Sequence, residues 1–141
     1  MSRPLKLLLP KLNKLLLEYE HIPVECDGHS LIVSHLLAHL DIPHQRMIGS
    51  VLLSSGQLIA PHLWIEIDEM RLDYRLRLWG QRTISDASEL PHGLFNGEDF
   101  PSTIYNAKAT VPFTPMSDDI LNFMLDGDWL QLKEKAVHLI V

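Results

Sequence analysis

Leucines recur with helical spacing over the first part of the chain. They stand at every third or fourth position within residues 4–19, and lysines occupy several of the positions between them. This pattern predicts a helix with one buried face, which Pro10 kinks or divides. A helix on a membrane surface is the alternative, and the acidic balance of the chain disfavours it. The leucines are Leu5, Leu8, Leu9, Leu12, Leu15 and Leu16.

A second helix is predicted over about residues 29–40. Val33, Leu36, Leu37 and Leu40 form its buried stripe. The preceding segment contains Ile22-Pro23. A residue that precedes proline avoids the helical backbone conformation, so this segment is predicted to be extended. Cys26 therefore stands where the chain enters the helix.

Three strand-like segments follow, at residues 45–53, 58–67 and 71–79. Apolar and polar residues alternate in the second and third segments. The links at Ser55-Gly56 and Asp68-Glu69 have the length of hairpin turns. The three segments therefore predict an antiparallel β-meander.

Hairpins centred on these two links set the register of the meander. They place Gly49 and Arg75 opposite His62 on its two sides, and they make Asp73 a diagonal neighbour of His62 on the same face. Diagonal neighbours lie about 7–8 Å apart between backbones, a gap that an Asp–His pair of side chains closes. Pro61, within the middle segment, predicts a bulge or the first residue of the strand.

The pattern weakens beyond the third segment. Residues 80–115 are rich in proline and glycine, and we expect a long irregular excursion with one short strand at residues 109–113. Ser117 is placed to cap a helix that ends at Gly127, and a closing helix follows over residues 128–139. The chain is thus predicted to be one α+β domain over residues 1–141, with N-terminal helices packed on the meander.

Composition narrows the classes of function. Twelve Lys and Arg against eighteen Asp and Glu give a net charge of −6, which disfavours a nucleic-acid binder. No apolar run has the roughly 18 residues of a membrane span, and the N-terminus lacks a signal-peptide cleavage site, so we expect a cytoplasmic protein. No glycine-rich phosphate loop is present, and no cofactor is expected. The single cysteine excludes an internal disulfide and a multi-cysteine zinc site.

Cys26 is the first candidate for chemistry. A lone cysteine is ordinarily a small buried hydrophobe, but this one stands among polar neighbours at the start of a predicted helix. The helix dipole and the free N–H groups there favour a thiolate and can receive an oxyanion. The adjacent carboxylate of Asp27 acts against the thiolate.

A thiol nucleophile needs a base, and the base needs an orienting group. His62 is the best placed of the eight histidines, and Asp73 is its predicted diagonal neighbour. The ordinary interpretations are a strand histidine satisfied by a neighbour and an aspartate paired with Arg71, Arg75 or Arg77. Gly49 opposite His62 would leave room for a substrate backbone, and His92 in the long excursion could line a cleft.

The order and spacing of these residues match a known pattern. A cysteine opens a helix, followed by Leu36-Leu37-Ala38-His39-Leu40-Asp41-Ile42-Pro43, then Gly49, then His62-Leu63-Trp64-Ile65-Glu66-Ile67, then Leu72-Asp73. This stretch resembles the core of the transglutaminase-like branch of papain-fold cysteine enzymes, particularly its compact bacterial members. The resemblance implies Cys26 as nucleophile, His62 as general base, Asp73 as orienter and a peptide or protein substrate. Trp64 joins Gly49 and His92 as a predicted substrate contact.

Some features depart from that family. Asp27-Gly28-His29-Ser30 stands where many members have an aromatic residue and an alanine, and no upstream glutamine completes an oxyanion hole. Tyr19 or a second backbone N–H could serve instead. A catalytically silent fold that binds a peptide or protein is the first alternative. A metal site on His35 and His39 is the second, although Leu36 stands where a zinc helix has its glutamate.

Overall fold

The computed structural model describes residues 1–81 and 83–140, which form an α+β fold as predicted. Arg82, in the predicted excursion, and Val141, at the end of the predicted domain, lie outside the described residues. The elements, in chain order, are α1 (Arg3–Leu17), α2 (Cys26–His39), β1 (Gln45–Leu52), β2 (Leu58–Ile67), β3 (Met70–Asp73), α3 (Leu76–Gly80), β4 (Gly93–Asn96), β5 (Ile104–Val111), α4 (Asp118–Met124) and α5 (Trp129–His138), with short 3-10 turns at Ala87–Glu89 and Gly97–Asp99.

The strands form an antiparallel sheet in the order β4-β3-β2-β1-β5. The predicted register of the first two hairpins is confirmed, with Gly49 opposite His62 and Ile65 opposite Leu72. The pairing of β1 with β2 shifts by one residue between Gly49 and Val51, across from Pro61. The proline therefore lies inside β2 at a bulge, where it breaks no regular ladder bond.

The predicted third strand over residues 71–79 is wrong beyond Asp73. The chain leaves the sheet there, because the Asp73 Oδ1 atom accepts the backbone N–H groups of Arg75 (2.9 Å) and Leu76 (3.0 Å) and so starts α3. Arg75 consequently does not pair with His62, as the extended register had predicted. Arginines alternate with apolar residues here, which is typical of a strand with one exposed face. Residues 72–76 are instead all buried, so the alternation does not reflect burial.

The prediction for residues 80–115 is also wrong in part. Two strands form there instead of one, and β5 begins five residues before the predicted short strand. β4 extends the sheet beside β3, and β5 extends it beside β1. The signal was weak because β4 has only four residues and β5 is largely exposed along its length.

Apolar clusters pack on both faces of the sheet. The larger one joins α1, α2, α4 and α5 to Ile65, Ile67 and Leu72, and it includes the predicted leucine stripe of α1. Pro10 lies inside a single continuous helix. The smaller one lies on the opposite face around Trp64, Leu76 and Leu90. No helix in the described ranges, residues 1–81 and 83–140, combines the length and apolar character needed to cross a bilayer.

The C-terminal helices follow the predicted signals. The Ser117 side chain caps α4 by accepting the N–H of Ile120, and Gly127 follows with a φ of +95°. α2 begins at Cys26, three residues before the start of the helix predicted over about residues 29–40, and ends at His39. Cys26 therefore occupies its first turn.

Candidate active site

Cys26 is half-buried at the N-terminus of α2. Glu25 is the N-cap residue of α2, but its side chain accepts no hydrogen bond from the helix. The first backbone N–H groups of α2 therefore remain able to donate to another acceptor. The segment that leads into the cysteine is held by buried Arg75, which donates from Nε to the carbonyl of Val24 (2.7 Å) and from Nη2 to that of Ile22 (3.0 Å). The backbone that leads into Cys26 is thus held by the turn between β3 and α3.

The carboxylate next to the cysteine has a partner of opposite charge. Arg46 of β1 forms an ion pair with Asp27 and donates to its carbonyl. The same guanidinium donates from Nε to the Ser30 hydroxyl at 2.8 Å. Arg46 therefore offsets the negative charge that the sequence placed against a Cys26 thiolate, and it ties the start of α2 to the sheet.

His62 and Asp73 meet as the diagonal register predicts. The His62 Nε2 atom lies 2.7 Å from Asp73 Oδ2, and both side chains are buried. Oδ2 also accepts the hydroxyl of Tyr105 at 2.7 Å, while Oδ1 accepts the two N–H groups that start α3. With four donors around it, the carboxylate is held in one orientation and so holds the imidazole.

The charge of this pair is set by mutual attraction. Burial acts against protonation of His62, but the charge of Asp73, the hydrogen bond to it and the thiol of Cys26 together raise the pKa of His62 to about 10. Burial also opposes ionisation of Asp73, and the charge of His62 together with hydrogen bonds outweighs it and lowers the pKa of Asp73. At neutral pH the pair is imidazolium and carboxylate.

The remaining ring nitrogen of His62 is the one available to the cysteine. Nδ1 is buried and has no hydrogen-bond partner among residues 1–81 and 83–140. Cys26 nevertheless lies near enough to the imidazole to help raise the pKa of His62. The sulfur therefore lies near the imidazole without a formed hydrogen bond to Nδ1, a separation that is compatible with a nucleophile and its base before a substrate binds.

Cys26 and His62 share an open groove, defined here as the active-site groove. It has a cavity volume of about 490 Å³ and is lined by Glu25, Cys26, residues 57–62 and Trp79 of α3. A substrate carbonyl in this groove could meet the sulfur, the imidazole and the N–H groups at the start of α2. Chemically, that arrangement is suited to acyl transfer through a thioester.

A second buried histidine lies one turn after the cysteine. His29 packs against the ring of Tyr74, with ring centroids 5.0 Å apart. Burial, followed by the positive charge of Arg75, lowers the pKa of His29 to about 3. His29 is therefore neutral near pH 7. The sequence pattern did not indicate that His29 is buried, because the helix was predicted to begin there and its buried stripe to start at Val33.

Tyr105 is the component that sequence reasoning missed. It comes from β5, at the far side of the sheet from β3, and its ring packs edge-on against Trp64 with centroids 4.9 Å apart. The segment around it was expected to be irregular, so no register could bring it to Asp73. Only a strand predicted over residues 104–111 could have indicated that Tyr105 reaches Asp73.

The three predicted substrate contacts lie outside the active-site groove. A Cβ atom at Gly49 would lie 2.1 Å from the carbonyl oxygen of Asn106, so the space beside this glycine is filled by the β5 backbone of the protein itself. Trp64 is 1% exposed, beneath the sheet. His92 binds the carboxylate of Glu20. Their contact with substrate finds no support in this geometry.

The remaining candidates also have other partners. The Tyr19 hydroxyl donates to the side chain of Gln131 on α5, at 3.1 Å, rather than facing the groove. Both ring nitrogens of His35 are engaged, Nδ1 with the carbonyl of Leu31 (2.8 Å) and Nε2 with the N–H of Met116 (3.0 Å). Within the described ranges, no group of three or more His, Cys, Asp or Glu side chains is arranged to hold a metal ion.

Comparison with known proteins adds no assignment to this geometry. No protein-family model, no curated protein and no solved structure matches the chain.

Proposed function

We propose that the protein is a cysteine hydrolase or acyltransferase that acts on a peptide or amide bond, with a papain- and transglutaminase-like core. One observation carries the proposal. A half-buried thiol at an uncapped helix start shares a groove with a buried histidine, whose far nitrogen is bound to a buried aspartate. The resemblance of the stretch from Cys26 to Asp73 to that enzyme family supports it.

The geometry gives each residue a role. Because Nε2 of His62 is bound to Asp73, Nδ1 is the atom that exchanges a proton with Cys26. The thiolate attacks the carbonyl carbon, and the N–H groups at the start of α2 stabilise the resulting oxyanion. The Nδ1 proton then passes to the leaving amine as the C–N bond breaks, which leaves a thioester on Cys26.

The second half of the cycle returns the enzyme to its starting state. Neutral His62 takes a proton from a water molecule or an amine, which attacks the thioester carbon. The C–S bond breaks, the acid or new amide leaves, and the thiolate–imidazolium pair is restored. Hydrolysis and transamidation differ only in which nucleophile reaches the groove. A cytoplasmic location stays part of the proposal.

The same groove favours a second candidate function. A groove that runs along a strand can hold a peptide without turning it over, and the residues after Cys26 depart from the family pattern. A peptide-binding module with this fold would keep the groove and lack the acyl-enzyme.

Intact-mass spectrometry with a reactive acyl ester separates the two candidates. We expect the native protein to gain one acyl group, Cys26→Ala to gain none, and His62→Gln to react at least about 100-fold more slowly. Alkylation by iodoacetamide should remain fast at about pH 6, where an ordinary thiol is protonated. An unacylated protein whose thiol is alkylated like free cysteine would exclude the enzyme.

A further inference from the structure

The active-site groove follows the backbone edge of a strand. Successive side chains of a strand point to opposite faces of the sheet, so a cavity on one face touches every second residue. This groove is lined by all six consecutive residues from 57 to 62, most of them in β2. It therefore runs along the edge of β2 and ends at His62 and Cys26.

That edge of β2 carries no strand in the described part of the chain. β1 pairs with one side of β2 along its length, whereas β3 pairs only with residues 65–67 on the other side. The cause is local, because Asp73 stops β3 and turns the chain into α3. α3 then supplies Trp79 as the facing wall, and the gap between the two is the groove.

The chemistry of the walls limits what fits. Leu58 is 61% exposed beside the unpaired edge, and Ala60 and Pro61 are also exposed. Apart from the candidate catalytic pair, Glu25 is the charged residue among those lining the groove. Six residues of strand span roughly 20 Å, which matches an extended peptide of similar length.

We propose that the unpaired edge of β2 binds an extended peptide, which adds as a further strand and carries a basic side chain that faces Glu25. Backbone hydrogen bonds hold the peptide, the apolar walls accept its uncharged side chains, and the negative charge of Glu25 rejects acidic ones. Delivery of a peptide carbonyl to Cys26 rests on the proposed function. Binding at the edge does not.

Binding is measured on Cys26→Ala with acetylated, amidated hexapeptides of serine and leucine that contain one lysine, one glutamate or neither. We expect the lysine peptide to bind most tightly and to slow amide exchange at Leu58 and Ala60. Two peptides are N-methylated at alternate nitrogens, one at the odd positions and one at the even positions, and these are the two phases. Only every second N–H faces β2, so methylation in one phase should abolish binding and methylation in the other should leave it intact. No binding, equal loss in both phases, or protection mapped to the edge strand β5 would overturn the proposal.

Glu25→Gln tests the charge preference separately. It should reduce the advantage of the lysine peptide over the glutamate peptide by about 10-fold, which corresponds to about 1.4 kcal/mol. Glu69→Gln, in the exposed turn between β2 and β3, is the matched control and should leave that ratio unchanged. A ratio unaffected by Glu25→Gln contradicts the role of Glu25.

The outcomes distinguish this proposal from the proposed function. Phase-dependent peptide binding without any acyl adduct on the native protein supports the edge and rejects the enzyme. Acylation by a small ester without peptide binding supports the enzyme and rejects the edge.

Discussion

Two buried histidines lie near the cysteine, and near pH 7 one is positively charged whereas the other is neutral. Burial is the largest influence on both rings and lowers the pKa of each. His62 faces the Asp73 carboxylate, and its pKa rises to about 10 in spite of burial. His29 faces the Arg75 guanidinium, and its pKa falls to about 3. The neighbouring charge, rather than the depth of burial, therefore decides which ring carries a proton.

This difference in charge distinguishes the two sides of the site. In the proposed reaction the proton available to a leaving group is on His62, which lines the groove, while His29 stays neutral on the other side of the cysteine near pH 7. A second imidazolium at His29 would compete for the negative charge of the sulfur. Burial of His29, followed by the positive charge of Arg75, prevents this, and Arg75 also holds the segment before Cys26.

Asp73→Asn should remove the difference in charge between the two histidines and have the largest effect on reactivity. The amide can still accept the N–H groups of α3 but no longer attracts a proton to His62, so both histidines become neutral at pH 7. We expect acylation of Cys26 to slow by roughly 10²–10⁴-fold, by analogy with loss of the orienting carboxylate in other triads. The rate is followed by intact mass across a pH series.

Asp118→Asn is the matched control, because Asp118 is an exposed carboxylate far along the chain that pairs with Lys133. It should acylate at the native rate. If Asp73→Asn also acylates at that rate, Asp73 does not orient His62 for catalysis.

His29→Phe should change how stability depends on acidity. The pKa of His29 is about 3 in the folded protein against 6.5 when unfolded, so the unfolded chain binds the extra proton between these values. The native protein thus loses stability as pH falls from 6.5 towards 3, by at most about 5 kcal/mol from this group at 1.36 kcal/mol per pKa unit. Phenylalanine keeps the ring contact with Tyr74 and removes that loss.

Denaturant unfolding at several pH values measures the effect. The slope of the unfolding free energy against pH should be shallower in His29→Phe by up to about 1.4 kcal/mol per pH unit below pH 6.5. His138→Phe, at an exposed histidine of α5, should leave the slope nearly native. Equal slopes in the native protein and His29→Phe would show that His29 is not held neutral.

The predictable part of the site was the part joined by short turns. Two tight links fix the register of β1, β2 and β3, so the diagonal placement of Asp73 relative to His62 could be predicted by counting residues. The extended Ile22-Pro23 segment placed Cys26 where the chain enters a helix, although α2 begins three residues before its predicted range. Antiparallel neighbours with local connections leave few alternatives.

The charges around the triad could not be predicted in the same way. Arg75 was expected on a strand opposite His62, yet Asp73 ends that strand and turns Arg75 inward to the carbonyls before Cys26. Tyr105 reaches Asp73 across the sheet from a strand with little apolar alternation. Both depend on contacts between distant segments, which periodicity within one segment does not encode.

Tyr105→Phe should increase the difference in pKa between the two histidines slightly. The variant keeps the ring against Trp64 and removes one of the two side-chain donors to Oδ2 of Asp73. Without the Tyr105 hydroxyl, the negative charge of the carboxylate acts more strongly on His62, so the pKa of His62 rises further. The alkaline limb of the pH profile, where the acylation rate falls as His62 loses its proton, then moves to higher pH. We expect a loss of about 2 kcal/mol in unfolding free energy, typical of a hydrogen bond to a charged group.

Tyr19→Phe is the control, because it removes a hydroxyl bound to the neutral side chain of Gln131. It should cost about 1 kcal/mol without moving the alkaline limb. A limb that stays in place in Tyr105→Phe would reduce Tyr105 to a packing residue.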